Sequence, residues 1–162
     1  MEEAGSSLVE VGASFAQAYA PVLDFDGWRV AMLRHFAVVS PATFHRVERH
    51  NNTNEVFILT AGSADLILCE GNARPEAPRV IVMTRNVAYN VRKSVWHHVV
   101  LSPEAHIVLF ERSDTGPETT DYADLSPLQR AVGDELRDEH RYGRRLRGGQ
   151  QQGEEEFVPR EQ

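Results

Sequence analysis

A single cysteine, Cys69, leaves this 162-residue chain without any intrachain disulfide. That cysteine sits in the apolar run Leu66-Ile67-Leu68-Cys69, where a small buried hydrophobe is the expected role rather than a nucleophile. Basic charge is also scarce: 17 Lys and Arg stand against 24 Asp and Glu, for a formal net charge of -7. No domain-wide basic field exists, which argues against a nucleic-acid partner. No apolar run approaches the roughly 18 residues of a membrane span, so no membrane partner is expected. The opening Met-Glu-Glu-Ala-Gly-Ser-Ser has neither a basic start nor an apolar stretch, and the expected location is cytoplasmic. Internal repeats are absent too.

What is present is a series of short β-type runs. Trp28–Leu33, Thr43–His50, Glu55–Thr60, Ala64–Cys69, Arg79–Met83, Tyr89–Val91, Val95–Leu101 and His106–Phe110 read as strands separated by turn residues. Many short strands at near-regular spacing, without 10–15-residue helices between them, predict an all-β antiparallel barrel or sandwich. Val9–Ala20 is expected to form a short helix, and residues 112–124 a polar loop. Ser126 can cap a helix beginning at Pro127, with Leu128, Val132 and Leu136 on one stripe and Arg141, Arg144 and Arg145 near its end. The expected division is a disordered 1–8, a barrel over 9–117, a loop and helix over 118–147, and a disordered tail over 148–162.

The chemistry concentrates in two stretches. Glu48-Arg49-His50-Asn51-Asn52-Thr53-Asn54-Glu55 places Glu48 and His50 on one face of a strand, since residues two apart share a face. The Asn-rich segment then turns, and Glu55 returns on the next strand. Val91-Arg92-Lys93-Ser94-Val95-Trp96-His97-His98 supplies a second imidazole at His97, if its strand lies opposite. Two imidazoles and two carboxylates suit a borderline divalent metal such as Zn, Mn, Fe, Ni or Co, and the donor set alone does not choose among them. They equally suit acid/base work, with Glu48 or Glu55 as base and His97 as acid. His98 has the opposite parity and is expected to pack outside. Arg46 shares the parity of His50 and is the candidate for pairing with a substrate carboxylate. Arg49 points the other way. Phe44, Phe57 and Tyr89 complete the candidate substrate-binding set.

The two stretches resemble the two-part signature of the cupin superfamily, whose first half reads G, five residues, H-x-H, three or four residues, E, six residues, G. Here His50, four residues, Glu55, six residues and Gly62 match without a gap, and His97 falls at the histidine of the second half. The departures are Ala42 and Glu48 in the first half, and Asn86, Arg92, Ser94 and Leu101 in the second, where Asn86 and Ser94 stand in place of glycines. The resemblance implies a cupin jelly roll, a homodimer, a divalent metal on Glu48, His50, Glu55 and His97, and no organic cofactor. Arg49-His50, Thr53, Phe57, Gly62, Tyr89-Asn90-Val91, Trp96-His97-His98 and Glu111-Arg112-Ser113-Asp114-Thr115-Gly116 further resemble the ureidoglycolate lyase type of small cupin, over residues 28–117. That likeness implies an enzyme acting on a small polar carboxylate, an acid/base or metal-assisted lyase. The alternatives are a metal-dependent cyclase, isomerase, dehydratase or dioxygenase of specialised metabolism, and a ligand-binding cupin without catalysis.

Overall fold

The computed structural model describes residues 8–136. The expectations placed on 1–7 and beyond 136, including the arginine cluster and the tail, lie outside the described residues. Ten strands and one helix follow in chain order: β1 (Tyr19–Phe25), β2 (Trp28–Arg34), β3 (Arg46–His50), β4 (Glu55–Ala61), β5 (Ala64–Cys69), β6 (Pro78–Val82), β7 (Ala88–Val91), β8 (Trp96–Leu101), β9 (His106–Arg112), β10 (Thr120–Asp124) and α1 (Pro127–Leu136). They form two antiparallel five-stranded sheets, ordered β1-β2-β9-β4-β7 and β10-β3-β8-β5-β6. The eight strands from β2 to β9 lie as β2-β9-β4-β7 facing β3-β8-β5-β6, which is the strand order of a jelly roll built from two Greek keys. This is the cupin-type barrel that the sequence implies. β1 and β10 each extend one sheet by pairing with β2 and β3.

The apolar residues divide into two layers. Leu33, Phe57, Leu59, Leu66, Val99, Leu101, Ile107 and Leu109 form one cluster inside the barrel. Phe44, Val47, Ile67, Cys69, Trp96, Val100 and Leu125 form another, on the opposite face of β3, β5 and β8. These strands are therefore covered on both sides, and β5 and β8 are buried along nearly their whole length rather than at alternate residues. Within β8, His97 shares the parity of Val99 and Leu101 and turns inward. His98 shares that of Trp96 and Val100, and its ring stacks on Phe44 at 5.1 Å.

Two segments differ from the sequence expectation. Residues from Val9 to Ala18 are not helical; they run as irregular chain into β1. A Cβ at Gly12 would meet the Val22 carbonyl oxygen at 2.2 Å, so this segment is pressed against the β1 backbone. Pro21, which lacks a ladder donor, is accommodated because β1 is an edge strand with a register shift at that point. The second difference is β10, which lies in the expected loop. Its stretch is too polar to show as a strand by hydropathy. Cross-strand ion pairs hold it instead: Arg49 to Asp121 at 2.7 Å and Arg46 to Asp124 at 2.8 Å.

Two turns close the site end. Asn86 and Ser94 stand where the resemblance has glycines, and both take positive φ, +63° in each case. The β3–β4 turn is bound to the β7–β8 turn: the Ser94 amide donates to the His50 carbonyl at 2.7 Å, and the Lys93 amide to Asn54 Oδ1 at 2.9 Å. At α1, Ser126 and Gln129 exchange side chain-to-amide bonds as a capping box, at 2.9 and 3.3 Å. Gln129 Nε2 also donates to the Pro75 and Glu76 carbonyls, tying the helix to the β5–β6 loop. Leu128, on the expected buried stripe, is exposed.

Gly62, which ends β4, adopts φ +69° and lies against the Ala105 backbone, where a Cβ would approach within 2.5 Å. Gly62→Ala meets both a forbidden backbone region and a backbone clash, so it is expected to cost about 2 kcal/mol or more. A shift of the denaturant midpoint, at unchanged slope, checks this.

Candidate functional site

A cavity of about 660 Å³ opens into the barrel between the two sheets. Glu48, His50, Glu55 and His97 all line it, together with Phe57, Val99 and Leu109 as an apolar wall. β3 supplies Glu48 and His50, β4 supplies Glu55, and β8 supplies His97, which pairs directly with Glu48 across the strands. Parity brings Glu48 and His50 together, the β3–β4 turn carries Glu55 into the facing sheet, and the β3–β8 pairing brings His97.

Glu55 is the centre of this group. It is buried, and its Oε2 lies 3.1 Å from His50 Nε2 and 3.0 Å from His97 Nε2. The outer nitrogens are occupied as well. His97 Nδ1 meets the Val95 carbonyl at 2.9 Å, and a carbonyl only accepts, so that nitrogen carries a hydrogen. His50 Nδ1 meets Thr120 Oγ1, also at 2.9 Å. Neither partner is visible in the sequence, because Thr120 arrives on the unforeseen β10 and Val95 acts through its backbone. With its Nδ1 hydrogen fixed, His97 presents Nε2 to a carboxylate oxygen. A stable contact there needs a proton or a metal ion between the two atoms.

The proton affinities follow from this packing. Burial alone would raise Glu55, but the hydrogen bonds from His50 and His97 outweigh it and hold its pKa at about 2. Burial alone would lower His97, but the hydrogen bond and charge of Glu55 outweigh it, and the net direction is upward. Burial raises Glu48, partly offset by the charge of His97. Glu48 and Glu55 are therefore driven apart, the arrangement that separates a proton-transferring carboxyl from a permanent anion. Burial pushes Cys69 up to about 11, in keeping with a structural thiol.

The donor atoms fit a metal. Glu48, His50 and His97 offer three ligand atoms within 4.8 Å of one another, and Glu55 Oε2 adds a fourth beside the two nitrogens. Ligands about 2.1 Å from one ion at right angles lie about 3.0 Å apart, which matches the separations of Glu55 Oε2 from the two Nε2 atoms. The Val95 carbonyl and the Thr120 hydroxyl would orient the two rings, as outer partners of metal-bound imidazoles do.

Tyr19, Arg29 and Glu111 also line the cavity and were not among the candidate site residues. Glu111 is buried on β9, and its carboxylate, with the His50 imidazole and the Glu55 carboxylate, makes a second group of ligand atoms within 4.8 Å. Its parity with Ile107 and Leu109 is the signal that could have found it. Tyr19 Oη donates to Glu111 Oε1, and Arg29 Nη1 lies 3.8 Å from the same oxygen. Burial and the neighbouring Glu111 push the Tyr19 phenol upward. Burial likewise raises Glu111, against the Tyr19 hydrogen bond and with the help of the Glu55 charge.

The other candidates fall elsewhere. Phe44 belongs to the outer apolar layer and not to the cavity. Tyr89 packs against the inner cluster, and its hydroxyl accepts from the Thr84 amide, away from the cavity wall. Phe44 precedes β3, which begins at Arg46, so the strand's alternation does not reach it, and for Tyr89 parity fixes a face but not a depth along the barrel. Arg46 reaches the cavity mouth, but it is exposed and paired with Asp124. Arg49 lies over the Trp96 ring at 4.4 Å and binds Asp121, on the outer face.

A jelly-roll barrel with an interior cluster of histidines and glutamates is thus the class that fold and site define. No family model matches the chain, and no curated protein does. Among solved structures it is similar to a cupin-2 domain protein from Shewanella frigidimarina, with 20% identity over 60% of this chain and 84% of that one and a TM-score of 0.45. It is also similar to Streptomyces PAC13, a nucleoside dehydratase solved with uridine, with 8% identity over 67% and 80% and a TM-score of 0.49. A Neisseria meningitidis protein gives 15% identity over 60% and 88%, with a TM-score of 0.45. All three scores fall below 0.5, so the fold assignment stands on the strand order and the chemistry on the cavity residues.

The Glu55–His97 pair sets a pH dependence for the metal-free protein. Glu55 has its affinity lowered by folding, so its stabilisation is present above the usual 4.5 and is lost as pH falls towards about 2. His97 has its affinity raised, so its stabilisation is complete below the usual 6.5 and is lost as pH rises through the folded value. Glu48 and Glu111, both raised, add a loss that begins as pH rises above their usual 4.5. Thermal unfolding in chelator is expected to show the highest midpoint between these limits, with Glu55→Gln flattening the alkaline limb. A wild-type midpoint unchanged from weakly acidic to alkaline pH would contradict the network.

Proposed function

We propose that this chain is a metal-assisted enzyme of the lyase type, moving a proton on a small polar carboxylate inside the barrel. The observation that carries the reading is the placement of one buried carboxylate oxygen between two imidazole nitrogens whose outer nitrogens are already held. His50, Glu55 and His97 would hold the divalent ion, which when bound supplies polarisation of a substrate oxygen.

The chain's own residues do the rest. Thr120 and the Val95 carbonyl fix the ring orientations, and Glu55, kept anionic, is a poor base and serves as a charge. Glu48 stands beside this group with its proton affinity raised by burial, so it accepts a proton from the substrate and can return it to the leaving group. Phe57, Val99 and Leu109 exclude water from the reacting end. The cavity holds three carboxylates, so an anionic substrate enters only when Glu48 and Glu111 carry protons or a cation balances them. The Trp96-His97-His98 and Glu111–Gly116 resemblance supports a substrate of the ureidoglycolate class, and that compound is the first to assay.

Two variants separate the roles. His97→Ala is expected to lose the bound metal, read by elemental analysis of protein purified without chelator. Glu48→Gln is expected to keep the metal and the substrate affinity while kcat falls about 10²- to 10⁴-fold. Equal loss of affinity and turnover in Glu48→Gln would favour a ligand-binding protein without catalysis.

A further inference from the structure

The cavity has a second polar end, built from the opposite sheet. Tyr19 comes from β1, Arg29 from β2, Glu111 from β9, and Thr115 from the loop that follows β9. Two observations there point to a ligand group. Glu111 is only 4% exposed, yet Tyr19 is the one hydrogen-bond donor it has among the described residues, on Oε1. A buried carboxylate accepts at both oxygens, and one left with a single bond is under-satisfied. Thr115 Oγ1 is buried without a partner among the described residues, on a residue that lines the cavity. Arg29 lies 3.8 Å from Glu111 Oε1, the oxygen Tyr19 already holds, and its other contacts are the Ser113 carbonyl at 2.7 Å, the Thr115 carbonyl at 3.5 Å and Asp24 at 3.4 Å. No free cation therefore remains at this end to receive a second carboxylate.

We propose that the Tyr19–Glu111–Thr115 end is a binding subsite for a neutral, hydrogen-bond-donating group of the substrate, an amide, ureido or hydroxyl. The donor goes to the second oxygen of Glu111, and Thr115 Oγ1 completes the contact. Ligand atoms of Glu111, His50 and Glu55 lie within 4.8 Å of one another, so the donor group sits only a few bonds from the atom that reacts. The substrate is then a short molecule with its donor group next to the reacting carbon, not a long one with a charged tail. This deepens the proposed function and rests on the cavity being the substrate site.

Neutral fragments test the subsite without metal or turnover. The full chain, labelled with nitrogen-15, is titrated with N-methylurea, with 1,2-propanediol and with acetone, which accepts but does not donate. Saturable shifts of the Tyr19, Thr115 and Gly116 amides are expected with one or both donors and not with acetone. The donor that binds distinguishes N–H from O–H recognition. Glu111→Gln, which puts a donor where the acceptor was, is expected to weaken binding about tenfold or more. Thr115→Val gives a smaller loss in the same direction and carries the test if Glu111→Gln does not fold. Binding of acetone at the same residues with equal affinity, silence of these amides to both donors, or a folded variant that binds as wild type would overturn the subsite. Metal content and the Glu48→Gln assay fail or succeed separately, so loss of the proposed function and loss of this subsite are told apart.

Discussion

Everything at the site depends on one buried anion. Glu55 is taken out of water at the start of β4, and burial of a lone carboxylate would drive it to take up a proton. Two imidazoles prevent this, and each is itself tied down from behind, by the Thr120 hydroxyl and by the Val95 carbonyl. The rings cannot rotate away without breaking a second bond. The result is a fixed set of donors aimed at one point, organised before any ligand arrives. Such fixing is what a catalytic or metal-binding group needs, because reorganisation at the moment of reaction is what an enzyme avoids.

The jelly roll supplies that arrangement through its two sheets. β3 and β8 belong to one sheet and β4 and β9 to the other, so Glu48, His50 and His97 face Glu55 and Glu111 across the interior. The second apolar layer, behind β3 and β8, makes this wall rigid. Trp96, Val100 and Phe44 fill it, and the Arg49 guanidinium covers the Trp96 ring. The two edge strands that extend the barrel also serve the site. β10 brings Thr120 behind His50, and β1 brings Tyr19 to Glu111.

The sequence made the barrel and the first four site residues legible for physical reasons. Apolar alternation and turn residues mark strands that face a core, and parity assigns Glu48, His50 and His97 to the inner face. It failed where the forces are not hydrophobic. β10 is held by arginine–aspartate pairs, which hydropathy does not register. β1 hides behind a run whose spacing also suits a helix, and only its pairing with β2 decides the matter. Glu111 was readable by parity but lies in a segment with no second catalytic-type residue beside it. Phe44 and Tyr89 show the converse error: the strand expected over Thr43–His50 begins only at Arg46, so alternation does not reach Phe44, and for Tyr89 a correct strand assignment does not say how far along the barrel a side chain sits.

The central claim is that His97 turns Nε2 to Glu55 with a proton or a metal ion between the two atoms, while its Nδ1 hydrogen is held by the Val95 carbonyl. Long-range proton–nitrogen spectra of the imidazoles, taken metal-free and again after one equivalent of zinc, test this most directly. The account predicts a protonated Nδ1 in both states, a second hydrogen on Nε2 without metal at a pH below the usual 6.5, and loss of that Nε2 proton on zinc binding. A neutral His97 carrying its only hydrogen on Nε2, unchanged by zinc, would contradict it.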